Sequence, residues 1–406
     1  MKSLLPRVVI KAVSFFVLTL GLPAAWFGYL VLRTRSLEER AGSSGWRLIE
    51  VVEPPRTIDY PLPRNVSQIH ELPDMKVFGR SFQDVVSRKL SSSYLASISD
   101  CKVATFYDQW SNEHSVIVDQ KNELVPLRHM EVNGGKGWQV RGGHANVLRR
   151  GDAHAIAVAA WVFENWSGNY FHWLVYHLPK LLLLRQKCQR CPLILPEKNV
   201  IYPTITRSLE ILGFTESLLV RQTSAILEVK ELSFVEADRH DPHLLRQVAA
   251  VFSVKQQAPA TRFLYISRKA AQWRRVTNEP AIEALLEQRG FDVIQTELLS
   301  FDEQIAMMSA AKVVVSPHGA GLANMLFMPQ GAHVVELVNP EFPNSDYYSL
   351  ANALGHSYWL YSARCVRDVR PVAYQDLYVP IDTFTSLIDD VLSFAQGAKS
   401  SARTGG

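Results

Sequence analysis

The chain has 406 residues, a net charge of +4, and is 47% hydrophobic and 20% charged. That length exceeds the usual size of one compact core and points to two domains, while so small a charge gives no reason to expect nucleic acid as a partner. The four cysteines are too few for a disulfide scaffold.

The first element is the uncharged run "AVSFFVLTLGLPAAWFGYLVL", Ala12–Leu32. It is long enough to span a bilayer, with Trp26 and Tyr29 near one end where interfacial aromatics belong. A cleaved signal peptide is the rival reading; the run continues past Ala25, which favours an uncleaved single-pass anchor and a membrane location. Lys2, Arg7 and Lys11 precede the span and Arg33, Arg35 and Arg40 follow it, so the side holding the rest of the chain stays open. Asn65 and Asn165 begin glycosylation sequons, which matter only in a secretory lumen.

The expected organisation is an anchor over 1–35, a connector over 36–65, a first lobe over 66–255, a second lobe over 256–395 and a disordered tail over 396–406. The connector contains the extended, proline-rich "PPRTIDYPLPRN". In the first lobe "KVATFYD", "SVIVDQ", "PLILP" and "LSFVEA" read as strands, and "TITRSLEILGF" reads as a helix ending at Gly213. "GNYFHWLVYHLPKLLLLRQ" reads as a helix that Pro179 must kink or split. Cys188 and Cys191 form one C-x-x-C without a second pair, which argues against structural zinc and reads as a helix-end coincidence rather than redox chemistry.

From about Thr261 strands and helices alternate. "RFLYISR", "FDVIQT", "KVVVS", "HVVELV" and "SYWLY" are strands; "NEPAIEALLEQRG", "SFDEQIAMMSAA", "GLANMLFM" and "DYYSLANALG" are helices. Asn278 is a candidate cap, and Ser300 with Glu303 makes a capping box. Strict alternation implies a parallel sheet covered by helices on both faces, a doubly wound Rossmann-like unit. The dinucleotide fingerprint is missing, so NAD is not implied.

In such sheets ligands bind beyond the carboxyl ends of strands. "SPHGAG" holds that position after the valine strand. Gly319 and Gly321 let backbone approach a ligand, and the helix from Ala320 aims free N–H groups at the same spot. His318 can donate to a phosphate oxygen, Asn324 can cap or reach the ligand, and Glu336 can accept from ribose hydroxyls. Ser267, Arg268 and Arg275 follow the first strand of this lobe, where guanidinium forks would match phosphate. Upstream, Asn169, His172 and Tyr176 are three and four residues apart and would share a helix face, with His172 a candidate general base or a satisfied core histidine. No D-x-D, H-E-x-x-H or Cys/His cluster occurs, so metal-independent chemistry is the default.

"NYFHWL", "YISRKAAQWRRVTNE", "ELLSFDEQIAMMSAAKVVVSPHGAGLANMLFM" and "VVEL" together resemble glycosyltransferase family 61, in family order over roughly Gly168 to Leu360. The resemblance implies an inverting transferase with two Rossmann-like lobes and a cleft between them, a GT-B-like α/β fold. It implies a UDP-sugar as co-substrate and a glycan or glycoconjugate acceptor, with no cofactor and no metal; bacterial relatives are labelled capsular polysaccharide biosynthesis proteins. Arg268, Arg275, His318, Gly319, Ala320 and Gly321 would hold the donor diphosphate, with Ser267 and Asn324 beside them and Glu336 at the nucleoside. Asn169 and His172 would stand near the reacting sugar. The rival is a non-catalytic, membrane-anchored polysaccharide assembly or binding protein that keeps the fold. A serine hydrolase is a distant third, because neither Ser267 nor Ser316 lies in a G-x-S-x-G elbow.

Overall fold

The computed structural model describes residues 29–33, 46–107, 113–120, 125, 145–149, 153–163, 167–196, 202–222, 226–253 and 260–397. They form two compact units of discontinuous chain: Met1–Pro54, Ser92–Trp173 and Lys180–Ala237 in the first, Pro55–Ser91, Leu174–Pro179 and Asp238–Gly406 in the second. Of the expected membrane span, residues 12–28 lie outside the described residues, and Tyr29–Arg33 is a strand paired antiparallel with Ala145–Arg149. Among the described residues no helix is long and apolar enough to cross a membrane. The sequon at Asn165 and the tail from 398 also lie outside the described residues.

The first unit is built on a seven-stranded mixed sheet. Leu219–Gln222, Leu193–Pro196, Ala153–Trp161 and Ile226–Glu236 run parallel in that spatial order. Ser93–Tyr107 then joins antiparallel, and both Trp46–Glu53 and Glu113–Val118 pair antiparallel with it. The fully parallel sheet of a Rossmann-like first lobe is therefore only half present. Ser93–Tyr107 and Glu113–Val118 are consecutive, and so short a connection can join strands only antiparallel.

Residues 170–187 are continuously helical, but Trp173–His177 is a π-turn between Tyr170–His172 and Leu178–Lys187. Pro179 explains it: its ring would collide with the carbonyl four residues back, at Val175, and a widened turn removes that clash without a break. The π-turn also shifts every later side chain around the axis, so the face read from α-helical spacing does not extend past His172. At the end of this helix Cys188 and Cys191 are joined by a disulfide, a pairing that the reading as a helix-end coincidence did not anticipate.

The second unit carries a five-stranded, all-parallel sheet. Its strands are β1 (Arg262–Ile266), β2 (Phe291–Ile294), β3 (Ala311–Pro317), β4 (His333–Val338) and β5 (Ser357–Ser362), in the spatial order β2-β1-β3-β4-β5. Its helices are α1 (Pro242–Phe252), α2 (Glu279–Glu287), α3 (Phe301–Ser309), α4 (Asp346–Leu354) and α5 (Ile381–Ala395). Val313 and Val315 lie in a core with Ile282 and Leu286 of α2 and Phe384, Ile388 and Val391 of α5. Val314, between them in β3, is equally buried, so the strand is covered on both faces as a run of valines requires. Each such side chain contributes about 1.5–3 kcal/mol through burial.

Local sequence sets the helix ends. Ser300 and Glu303 form the expected capping box at α3. Gly290 and Gly355 adopt positive φ just beyond α2 and α4, where a side chain would be strained. Asn278 precedes α2 but makes no side-chain cap; its amide exchanges both hydrogen bonds with the backbone of Val379.

Residues 55–91 pack as part of this unit, and the reason is visible at the open edge of the sheet. Arg64 N donates to Tyr358 O at 2.8 Å, and the Asn65 amide bonds both backbone groups of Leu360, at 2.7 and 3.0 Å. Asn65 thus acts as a substitute peptide along β5, satisfying an edge strand that would otherwise be open to pairing. Arg56 to Asp241 (2.6 Å) and Arg88 to Asp238 (2.9 Å) fix the rest of the segment.

Candidate active site

In the order β2-β1-β3-β4-β5 the chain leaves β1 toward β2 and returns to the opposite side at β3. The crevice between the carboxyl ends of β1 and β3 is the topological switch point, where doubly wound sheets bind ligands. Arg268 follows β1 and His318 follows β3.

The β1 loop is held from below. Ser267 is buried, its N–H donating to Ile294 O (2.8 Å) while its hydroxyl accepts from Lys269 N (3.4 Å). Buried Glu279 accepts from the Tyr265 hydroxyl and from Arg268 N, both at 2.9 Å. Burial, then the Glu279 charge, pushes the Tyr265 phenol well above its usual range, so it stays a donor. The Arg268 side chain donates to Trp273 O (2.8 Å) and Arg274 O (3.3 Å). Its guanidinium is driven down from the ordinary arginine value, first by burial and then by the nearby charge of Arg274. Neither arginine side chain forms an ion pair among the described residues. Arg274 has φ 58°, in the left-handed region, and its Nε is buried without a partner. Two guanidiniums come together here, with Glu297 and Glu279 acting on Arg268 more weakly and in the opposite sense, a seat whose charge suits an anion.

The β3 loop meets this seat. A Cβ built on Gly319 would lie 1.9 Å from Arg268 Nη1 and 2.7 Å from its Cζ. The requirement for glycine is that space and not the backbone conformation, whose φ of 176° is extended and open to any residue. Gly321 is similarly hemmed in, with Thr296 Oγ1 2.8 Å from its virtual Cβ. The element after Gly319 is a 3-10 helix, Ala320–Phe327, rather than the expected α-helix. All its residues from Leu322 to Phe327 are buried, and so tight a wind suits a segment with no polar face. Asn324 turns away from the loop and donates to Gln304 of α3 at 2.8 Å.

His318 is oriented by a buried chain. Its Nδ1 lies 2.5 Å from Glu336 Oε1, and the Tyr358 hydroxyl donates to Glu336 Oε2, also at 2.5 Å. Against a carboxylate Nδ1 is the donor, so Nε2 is the nitrogen left for a ligand. Glu336 is fully buried and both its oxygens meet protein donors, so the structure gives it His318 and Tyr358 rather than an open face for ribose. The ring of Tyr347, in the first turn of α4, packs edge-on against His318 at 4.9 Å. Burial pushes its phenol far up, and the charges that act on it include Arg274, Glu336 and Arg268. Arg268, Arg274, His318, Glu336 and Tyr347 therefore make one cluster.

Arg275 is placed differently. Its backbone N donates to Asp376 Oδ1 (2.9 Å) and its guanidinium to Asp376 Oδ2 (3.2 Å), and its side chain is half exposed. Arg370 holds the same carboxylate at 3.1 Å. Asn169 and His172 belong to the first unit. Asn169 is the N-cap of the helical segment, its Oδ1 accepting from His172 N at 3.3 Å, and the half-buried His172 ring packs edge-on against Phe171. Sequence reasoning missed Arg274, Glu279, Tyr347 and Tyr358. Only Glu279 carried a signal, as the one acidic residue in the quoted "RRVTNE" stretch.

The sequence model described as Glycosyltransferase 61 matches residues 170–335, a span containing Arg268, Arg274 and His318 of the cluster but neither Glu336 nor Tyr347. A curated relative, the EGF domain-specific O-linked N-acetylglucosamine transferase of Drosophila melanogaster, is 37% identical over 106 residues, which is 25% of this chain and 20% of that protein. The matched stretch thus spans about a fifth of the relative's length. The similarity to that family is carried by residues 170–335, about two fifths of the chain, and the relative shares 106 residues with this chain.

Proposed function

We propose that the protein is an inverting, metal-independent glycosyltransferase that moves a sugar from a UDP-sugar to a hydroxyl of a glycan or glycoconjugate, in polysaccharide biosynthesis. One observation carries the reading: Arg268, in no ion pair among the described residues, meets the glycine loop at the switch point of the parallel sheet, with the charge of Arg274 close enough to act on it. Two fixed positive charges beside a backbone without side chains suit a diphosphate. In the proposed reaction a base takes the proton of the acceptor hydroxyl, whose oxygen attacks the anomeric carbon opposite the leaving group. The bond from that carbon to the UDP oxygen breaks, and the departing phosphate gains negative charge. Arg268, Arg274 and, when the ring carries a proton on both nitrogens, Nε2–H of His318 stabilise that charge, each worth about 2.7–4 kcal/mol by analogy with one oxyanion-hole donor. His172 is proposed as the base, on the chemistry of imidazole alone.

The test is UDP titration together with a UDP-sugar hydrolysis screen on the full chain. Binding that vanishes in Arg268→Ala, with hydrolysis of at least one UDP-sugar, supports the reading. Absence of both UDP binding and hydrolysis favours a non-catalytic polysaccharide-binding protein. Membrane attachment through Ala12–Leu32 is a separate proposal, tested by whether alkaline carbonate leaves the full chain with membranes.

A further inference from the structure

Outside the arginine cluster, one exposed feature of the second unit has no role in the donor reading. Val77 and Arg80 form an isolated antiparallel bridge, with Val77 N donating to Arg80 O (2.9 Å) and Arg80 N to Val77 O (3.1 Å). The two residues between them, Phe78 and Gly79, have φ 51° and 79°. Two-residue turns of this kind favour Asn-Gly, and a bulky side chain in the left-handed region is an outlier. Phe78 is nevertheless 69% exposed, so its own burial does not offset the strain. Its ring meets the half-buried ring of Phe342 edge-on at 5.8 Å.

The position of this aromatic pair is fixed. Phe342 lies in the loop from β4 to α4, on the carboxyl edge of the sheet. The hairpin is tied to the start of α4 by Arg80 Nη2 to Asp346 Oδ1 at 3.3 Å, and Asn344 holds Asp346 through two further hydrogen bonds. The next residue, Tyr347, packs on His318. Around the rings stand two ion pairs, Arg80 with Asp346 and Arg367 with Glu341.

We infer that the exposed ring of Phe78, braced edge-to-face by Phe342, is a stacking platform for a neutral pyranose ring of the acceptor glycan. Strained, exposed residues mark sites where the surrounding fold maintains a conformation for use. A pyranose has one face of C–H groups, which an aromatic ring covers, and a rim of hydroxyls, which charged side chains can bond. Arg80 and Arg367 beside the rings are each paired with a carboxylate, so the rim offers a phosphate no unpaired positive charge and suits a neutral acceptor rather than the nucleotide. The inference rests on the glycosyltransferase reading for the identity of its occupant.

The experiment measures retention of the full-length protein on an array of neutral oligosaccharides, with UDP titrated separately. Wild type retains at least one pyranose oligomer; Phe78→Ala and Phe342→Ala each weaken that retention tenfold or more while UDP affinity stays within twofold. Phe78→Asn suits the left-handed turn, so it raises the unfolding midpoint while losing glycan retention, a combination that a purely structural phenylalanine would not give. The inference is overturned by a wild type that holds no neutral glycan, by unchanged retention in both alanine variants, or by variants that lose UDP instead. A protein that retains glycans through Phe78 but binds no UDP leaves the platform standing and removes the donor site.

Discussion

The guanidinium of Arg268 occupies the space that any side chain at position 319 would need, with Nη1 1.9 Å and Cζ 2.7 Å from the virtual Cβ of Gly319. The arginine cannot simply swing aside, because the carbonyls of Trp273 and Arg274 hold it. Glycine at 319 and arginine at 268 are therefore one device. Gly319→Ala should lower UDP affinity about as much as Arg268→Ala, by tenfold or more, with the circular dichroism spectrum unchanged. Calorimetric titration of both variants and of the double variant checks this. Coupling predicts that the double variant is no worse than either single one.

The neighbouring arginines should separate in a mutational series. Arg274 adds charge to the cluster, whereas Arg275 is tied to Asp376. Arg274→Ala should reduce transfer by about 10²–10³, the range for one donor to a developing negative charge. Arg275→Ala should leave most activity and cost about 0–1 kcal/mol of stability, as exposed ion pairs do. Steady-state kinetics and urea unfolding on the two variants decide between them.

The buried chain from Tyr358 through Glu336 to His318 predicts a split between stability and turnover. Tyr358→Phe leaves Glu336 Oε2 short of its donor in a buried site, which costs about 1–3 kcal/mol. Glu336→Gln keeps an acceptor for His318 Nδ1 but removes the charge behind it. It should lower kcat more than it raises KM for the UDP-sugar, because the negative charge that His318 meets grows on the leaving phosphate. An equal loss in both constants would assign the chain to binding alone.

Stability should fall on mild acidification because of His356. Burial lowers its pKa from 6.5 to about 4, and its Nε2 bonds Met325 O at 3.0 Å. The folded pKa lies below the unfolded one, so between pH 6.5 and about 4 the unfolded chain binds the extra proton. The contribution is whole above pH 6.5 and is lost as pH falls toward 4, at up to about 1.4 kcal/mol per pH unit. Urea unfolding between pH 7 and 5 should show this slope in wild type and a shallower one in His356→Gln.

Much of the second unit could be read in advance because its signals are local. Valines buried on both faces, a capping box at Ser300 and glycines at helix ends each act over a few residues, and all five strands fall where alternation put them. The glycine loop at the carboxyl end of β3 was legible for the same reason, since glycine after a buried strand has few uses. What escaped the reading depends on long-range contacts. Asn65 looks like a linker residue until Leu360, 295 positions away, is seen beside it. Glu336 looks like a ribose ligand until Tyr358 and His318 take both oxygens. Arg274 and Arg275 cannot be told apart in a string; their roles follow from a positive φ at one and from Asp376 at the other. The π-turn before Pro179 likewise needs the tertiary packing that keeps the helix whole.

The central claim is that the seat between β1 and β3 holds a diphosphate. Calorimetric titration of UDP and of uridine into wild type, Arg268→Ala and Arg274→Ala tests it most directly. The account predicts that wild type binds UDP far more tightly than uridine, and that each alanine variant removes most of that difference. Equal affinity for UDP and uridine in wild type, or UDP binding untouched by both substitutions, would contradict it.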